Sequence, residues 1–194
     1  MLCLVAAAAA IVLGAVTLIH PAAAPAEEGA TSASARQQVA ARELAAAYAA
    51  RQVRTIHRLR KQTWSYQRLM RRPLTPISRR AVRSTDPTYR QWIVSVWRKR
   101  AAAARRQAYH PPRKAAWSCI QRHEGAWNDP HAPYYGGLQM DIHFQRHYAP
   151  ELLRRKGTAD NWTAIEQIWV AERAYRSGRG FSPWPNTARA CGLI

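Results

Sequence analysis

The residues Trp117-Ser118-Cys119-Ile120-Gln121-Arg122-His123-Glu124-Gly125-Ala126-Trp127, with Tyr134-Tyr135-Gly136-Gly137-Leu138-Gln139 just downstream, decide how this chain reads. Residues 115–124 have the composition of a helix that stops at Gly125, which leaves Glu124 in its last turn. Asn128-Asp129-Pro130 and Ala132-Pro133 then make a loop. A carboxyl at a helix C-terminus faces the negative end of the dipole, and indoles and phenols nearby shield it from water. Both effects raise its pKa. Two adjacent glycines let another molecule lie close to the main chain. This is the equipment needed to protonate the oxygen that bridges two sugars. On position alone, Glu124 reads equally well as an exposed helix-end glutamate without a role.

Outward from this stretch, helical patterns dominate. A helix is expected over Leu138–Tyr148 and a short one over Glu151–Lys156. Thr163-Ala164-Ile165-Glu166 is a capping box. It opens a helix that buries Ile165, Ile168, Trp169 and Tyr175 and ends at Gly178. Toward the N-terminus, residues 36–63 contain neither proline nor glycine, and Val39, Leu44, Tyr48, Val53, Ile56 and Leu59 form one modest apolar stripe. A second basic helix starts at Asp86-Pro87, where Asp86 can cap and Pro87 suits the first turn. Tyr89, Trp92, Ile93, Val96 and Trp97 give it a face, and His110-Pro111-Pro112 breaks it. No segment of the terminal block alternates cleanly enough for a strand, so the expected class is mainly α.

Charge divides the 194 residues unevenly. Residues 1–116 carry 21 Lys/Arg against 4 Asp/Glu, whereas residues 117–194 carry 9 against 7. Five of the eight tryptophans lie in that near-neutral block. This pattern describes a basic arm followed by a compact domain. The expected organisation is 1–26 as a signal peptide or N-terminal membrane anchor, 27–113 as a basic, mostly helical arm, and 114–194 as the compact domain. Residues 2–19 are apolar, and Ala24-Pro25-Ala26 fits a small-x-small cleavage site. The run is also long enough to span a bilayer, so anchoring through 2–19 is the rival to cleavage. Both place the remainder outside the cytoplasm, secreted or associated with the wall. A basic arm there is expected to adhere, through residues 36–110, to anionic wall polymers or to a membrane surface. Trp64, Tyr66, Trp92 and Trp97 among arginines also suit single-stranded nucleic acid. Export argues against that partner.

Cys119 and Cys191 bracket the neutral block. In an exported protein such a pair reads as a disulfide, the alternative being two separate thiols. A block of this size has a marginal core, so a covalent staple makes physical sense.

Trp117-Ser118-Cys119, Glu124-Gly125-Ala126-Trp127, Tyr134-Tyr135-Gly136-Gly137-Leu138-Gln139-Met140, Val170-Ala171-Glu172-Arg173 and Pro183-Trp184-Pro185 with Cys191 occur in one order. Together they resemble the resuscitation-promoting-factor, or transglycosylase-like, domain of the lysozyme-like superfamily, over about residues 114–194. The resemblance implies a small lysozyme-like fold. It also implies cleavage of the β-1,4 bond between N-acetylmuramic acid and N-acetylglucosamine in peptidoglycan, by hydrolysis or as a lytic transglycosylase. Glu124 takes the place of the general acid/base, and Cys119 and Cys191 those of the bridging pair. Substrate contacts are expected from Trp127, Asp129, Tyr134, Tyr135, Gly136, Gly137 and Gln139. One departure is visible: in the family the first cysteine directly precedes the glutamate, a slot that His123 fills here.

Other chemistries find less support. Asp129 can face the cleft as a second carboxylate or can simply form a turn. His143 and His147 are one helical turn apart, but spacing supplies no third ligand, so no metal is expected. No cofactor is expected either, nor is a serine nucleophile, since no Gly-x-Ser-x-Gly is present. A monomer acting on glycan strands is the expected form. The rival functions are a wall-binding module without turnover and a basic polyanion- or membrane-binding protein.

Overall fold

The computed structural model describes residues 27–194; the apolar run 2–19, expected as signal peptide or anchor, lies outside them. Among the described residues no helix is long and apolar enough to cross a membrane. The fold is mainly α, with eight α-helices among the described residues: α1 Glu27–Leu69, α2 Arg79–Arg83, α3 Pro87–Tyr109, α4 Lys114–Glu124, α5 Ile142–Tyr148, α6 Pro150–Lys156, α7 Ala164–Ala174 and α8 Pro185–Ala190. A single antiparallel hairpin, β1 Tyr134–Tyr135 with β2 Met140–Asp141, lies between α4 and α5.

Local chemistry sets the helix ends. The Asp86 carboxylate accepts from the backbone N–H of Thr88 at 2.8 Å and of Tyr89 at 3.3 Å, with Pro87 in the first turn. Thr163 and Glu166 exchange both hydrogen bonds of the capping box. Gly125 caps α4 through its N–H to the Gln121 carbonyl. Val94 rather than Trp92 joins Ile93 and Trp97 in the buried face of α3; Trp92 is 55% exposed.

The helix expected to begin at Leu138 starts only at Ile142. Residues 136–139 instead reverse the chain, with Gln139 N–H bonded to the Gly136 carbonyl at 3.0 Å. Gly136 at φ +72° and Gln139 at φ +45° make that reversal. The Asp141 carboxylate then accepts from Phe144 N–H at 2.7 Å and opens α5.

The core of the terminal block gathers on α7, where every residue from Gln167 to Glu172 is buried. Trp117 lies edge-on to Trp184 at 5.1 Å and against Phe181 at 5.0 Å. Ile120, Leu138, Met140 and Val170 complete this layer.

The residues Ala46–Ile194 form one compact unit. The expected boundary near 113 is a helix break but not a break in packing. Met70 and Ala108 bury against Trp169 of α7, whose indole N–H donates to the Ala108 carbonyl at 2.7 Å. The guanidinium of Arg173 donates to the carbonyls of Tyr148 and Leu69, each at 2.8 Å. Burial, and then the like charge of Arg71, lower its pKa to about 10.

Candidate active site

Glu124 is the last residue of α4 and is half-buried. Its Oε1 accepts a hydrogen bond from the Thr187 hydroxyl of α8 at 2.8 Å. Thr187 stands one turn before Cys191, and Cys191 is bonded to Cys119 of α4, 72 residues away in sequence, with a Cα–Cα distance of 6.0 Å. The disulfide therefore clamps α8 against α4 and holds the hydroxyl against the carboxylate. His123, in the slot before Glu124, is exposed and its ring reaches to within 4.8 Å of both sulfurs. Among the described residues this is the one group of three metal-ligand types so close together, and its two sulfurs are already joined.

The loop after α4 is fastened to the hairpin. Asp129 Oδ2 accepts from the Gln139 side-chain amide at 3.0 Å, while Oδ1 accepts from the His131 backbone and pairs with the His131 ring. The His131 bonds, side chain first, hold the Asp129 carboxyl below its usual range; partial burial opposes this, and the Gln139 bond adds to the lowering. Gln139 also donates to the Gly136 carbonyl at 3.0 Å. A non-glycine residue at φ +45°, with its amide spent on two acceptors, is held there by surrounding structure. Gly125 fits closely beneath this pair: a Cβ there would stand 3.2 Å from the Gln139 amide nitrogen and 3.3 Å from Asp129 Oδ2. The residue next to Glu124 thus packs directly on the Gln139–Asp129 bond.

Both hairpin glycines are buried, and protein occupies the space their missing side chains leave. A Cβ on Gly136 would meet the Gln167 carboxamide at 2.6 Å, and one on Gly137 would meet Gln121 and Trp127 at 2.8 Å. Gly137→Ala is expected to destabilise the protein by about 1–3 kcal/mol, the usual cost of overpacking; urea unfolding checks this.

A cavity of about 550 Å³ opens beside the hairpin, lined by Tyr134, Gln139, Asp141, His143, His147 and Trp184 among others. Glu124 is not in its wall; Gln139 lines this cavity and also packs on Gly125, the residue after Glu124. Tyr134 is 50% exposed, Tyr135 half-buried, and Trp127 packs against Gly137 at the edge of the core. Trp117 is fully buried, with its indole N–H donated to Glu172 Oε1 at 2.7 Å.

Two partners escape a sequence reading. Thr187 carries no motif signal beyond its spacing from Cys191. Glu172 is a buried carboxylate amid Trp169-Val170-Ala171, bound by Trp117 and by Arg113 at 2.6 Å. A carboxylate directly after the apolar run Ile168-Trp169-Val170-Ala171 is the signal that could have marked it. Comparison with family models, with curated proteins and with solved structures finds no match for this chain.

Proposed function

We propose that residues 114–194 form a lysozyme-like domain that cuts the β-1,4 bond between N-acetylmuramic acid and N-acetylglucosamine, with Glu124 as the single acid/base. The observation that supports this best is the clamped Glu124–Thr187 pair; the next residue, Gly125, packs on Gln139, which also lines the cavity that Tyr134 borders. Protonated Glu124 gives its proton to the bridging oxygen as the C1–O bond breaks. The carboxylate then takes a proton from water, or from the muramyl 6-hydroxyl, as that oxygen bonds to C1. Water yields a reducing end and the 6-hydroxyl an anhydro end, one water lighter. Asp129, already committed to His131 and Gln139, positions the loop in this scheme. Tyr134, Tyr135 and Gln139 take the sugar contacts, and the buried glycines shape the turn that carries them.

Thr187 has one hydroxyl proton and two acceptors in reach, Glu124 Oε1 at 2.8 Å and the Trp184 carbonyl at 3.3 Å. It donates to the carboxylate when Glu124 is ionised and can turn to Trp184 when Glu124 carries its proton. Thr187→Val is expected to lower turnover about tenfold, the scale of one hydrogen bond to a charged group. Thr187→Ser restores turnover, because it keeps the donor. Digestion of purified peptidoglycan, with product masses, tests the assignment and separates the two outcomes. Pelleting with insoluble peptidoglycan without product would instead make the protein a wall-binding module.

A further inference from the structure

A second cavity, of about 330 Å³, is lined by Arg72, Arg106, Gln107, His110, Trp169 and Arg176. An adjoining one of about 270 Å³ shares Trp169 and Arg176 and adds Arg71, Arg173 and Glu172. Both fall within the unit Ala46–Ile194. Their charge is unbalanced. Glu172 is the single carboxylate in either wall, and its shortest ion pair, at 2.6 Å, is with Arg113; Arg176 reaches it only at 3.5 Å. Arg71, Arg72, Arg106 and Arg173 make no ion pair with any carboxylate among the described residues.

The guanidinium groups are also held in place. Arg72 donates to Gln107 Oε1 at 2.6 Å, and Arg176 lies 5.5 Å from the centre of the Trp169 ring. Trp169 is fixed by its bond to Ala108. Each arginine so held keeps further N–H groups for another acceptor. Like charges gathered round an apolar floor repel one another; in the adjoining cavity, burial first and then the like charge of Arg71 lower the Arg173 pKa.

We propose that this arginine-lined cavity is a binding site for a phosphate or phosphodiester group, seated between Arg72, Arg106 and Arg176 over Trp169. Guanidinium forks match phosphate oxygens two at a time, and an anionic phosphoryl group relieves the repulsion that the lone Glu172 leaves. Negatively charged wall polymers and lipid headgroups both carry this group. The site is separate from Glu124 and does not depend on the glycan-cleaving assignment.

The test uses the full chain and inorganic phosphate, titrated calorimetrically against sodium chloride at equal ionic strength. Binding is expected in the wild type and at least tenfold weaker in the double variant Arg72→Gln/Arg106→Gln. Both residues are exposed, so folding is retained. Arg58→Gln/Arg98→Gln removes the same charge from exposed positions outside the cavity and is expected to bind as the wild type does. Equal loss in both double variants, or a chloride response equal to that of phosphate, overturns the proposal. Sedimentation with phosphatidylglycerol against phosphatidylcholine vesicles, and titration with a soluble glycerol phosphate oligomer, then name the source. Loss of vesicle binding in Arg72→Gln/Arg106→Gln alone assigns a lipid headgroup, and loss of oligomer binding assigns a polymer.

Discussion

Glu124→Gln is expected to lower muropeptide release from purified peptidoglycan by at least about 10²-fold, the lower end of what general acid catalysis contributes. The substitution keeps the shape of the side chain and an oxygen to accept the Thr187 hydroxyl, so the clamp between α4 and α8 survives. In the proposed mechanism it removes only the proton that leaves with the bridging oxygen. Melting temperature and binding to insoluble peptidoglycan should therefore match the wild type while product disappears. Equal release by both proteins would sink the catalytic assignment. Loss of product together with loss of the folded state would point to the clamp instead, and a near-ultraviolet spectrum separates these results.

The second large effect concerns the disulfide. Cys119→Ser/Cys191→Ser is expected to cost about 4 kcal/mol, the chain-entropy value for a loop of this length. For a protein of this size that corresponds to a fall in melting temperature of roughly 8–16 °C. Turnover should fall as well, because Thr187 is held against Glu124 by the helix that the bridge secures. A reductant should lower the melting temperature of the wild type and leave the double variant unchanged. If reductant moves neither, the two sulfurs are not bonded in solution.

Much of the fold was legible because its signals are local. Asp86-Pro87, the Thr163–Glu166 box, Gly125 and His110-Pro111-Pro112 all mark helix ends within a few residues of themselves. The hairpin was not legible, since two-residue strands are too short to show alternation. Its turn and second strand read as the start of a helix, because nothing in Leu138-Gln139 announces that Gln139 adopts a positive φ. The cysteine pair could be matched by parity and export alone. Thr187–Glu124 and Trp117–Glu172 could not, because their partners lie 63 and 55 residues apart and no short motif joins them. The paired glycines teach the same lesson. Sequence reads them as room for a glycan against the main chain; packing fills that room with Gln167, Gln121 and Trp127.

Arg173 and Trp169 reach back to carbonyls of Leu69 and Ala108. A protease nick at the proline pair, or a gene trimmed to begin there, would thus not liberate an autonomously packed domain. It would unroof one side of α7, baring the Trp169 indole and Ile165, and such a freshly exposed patch favours clumping over solubility.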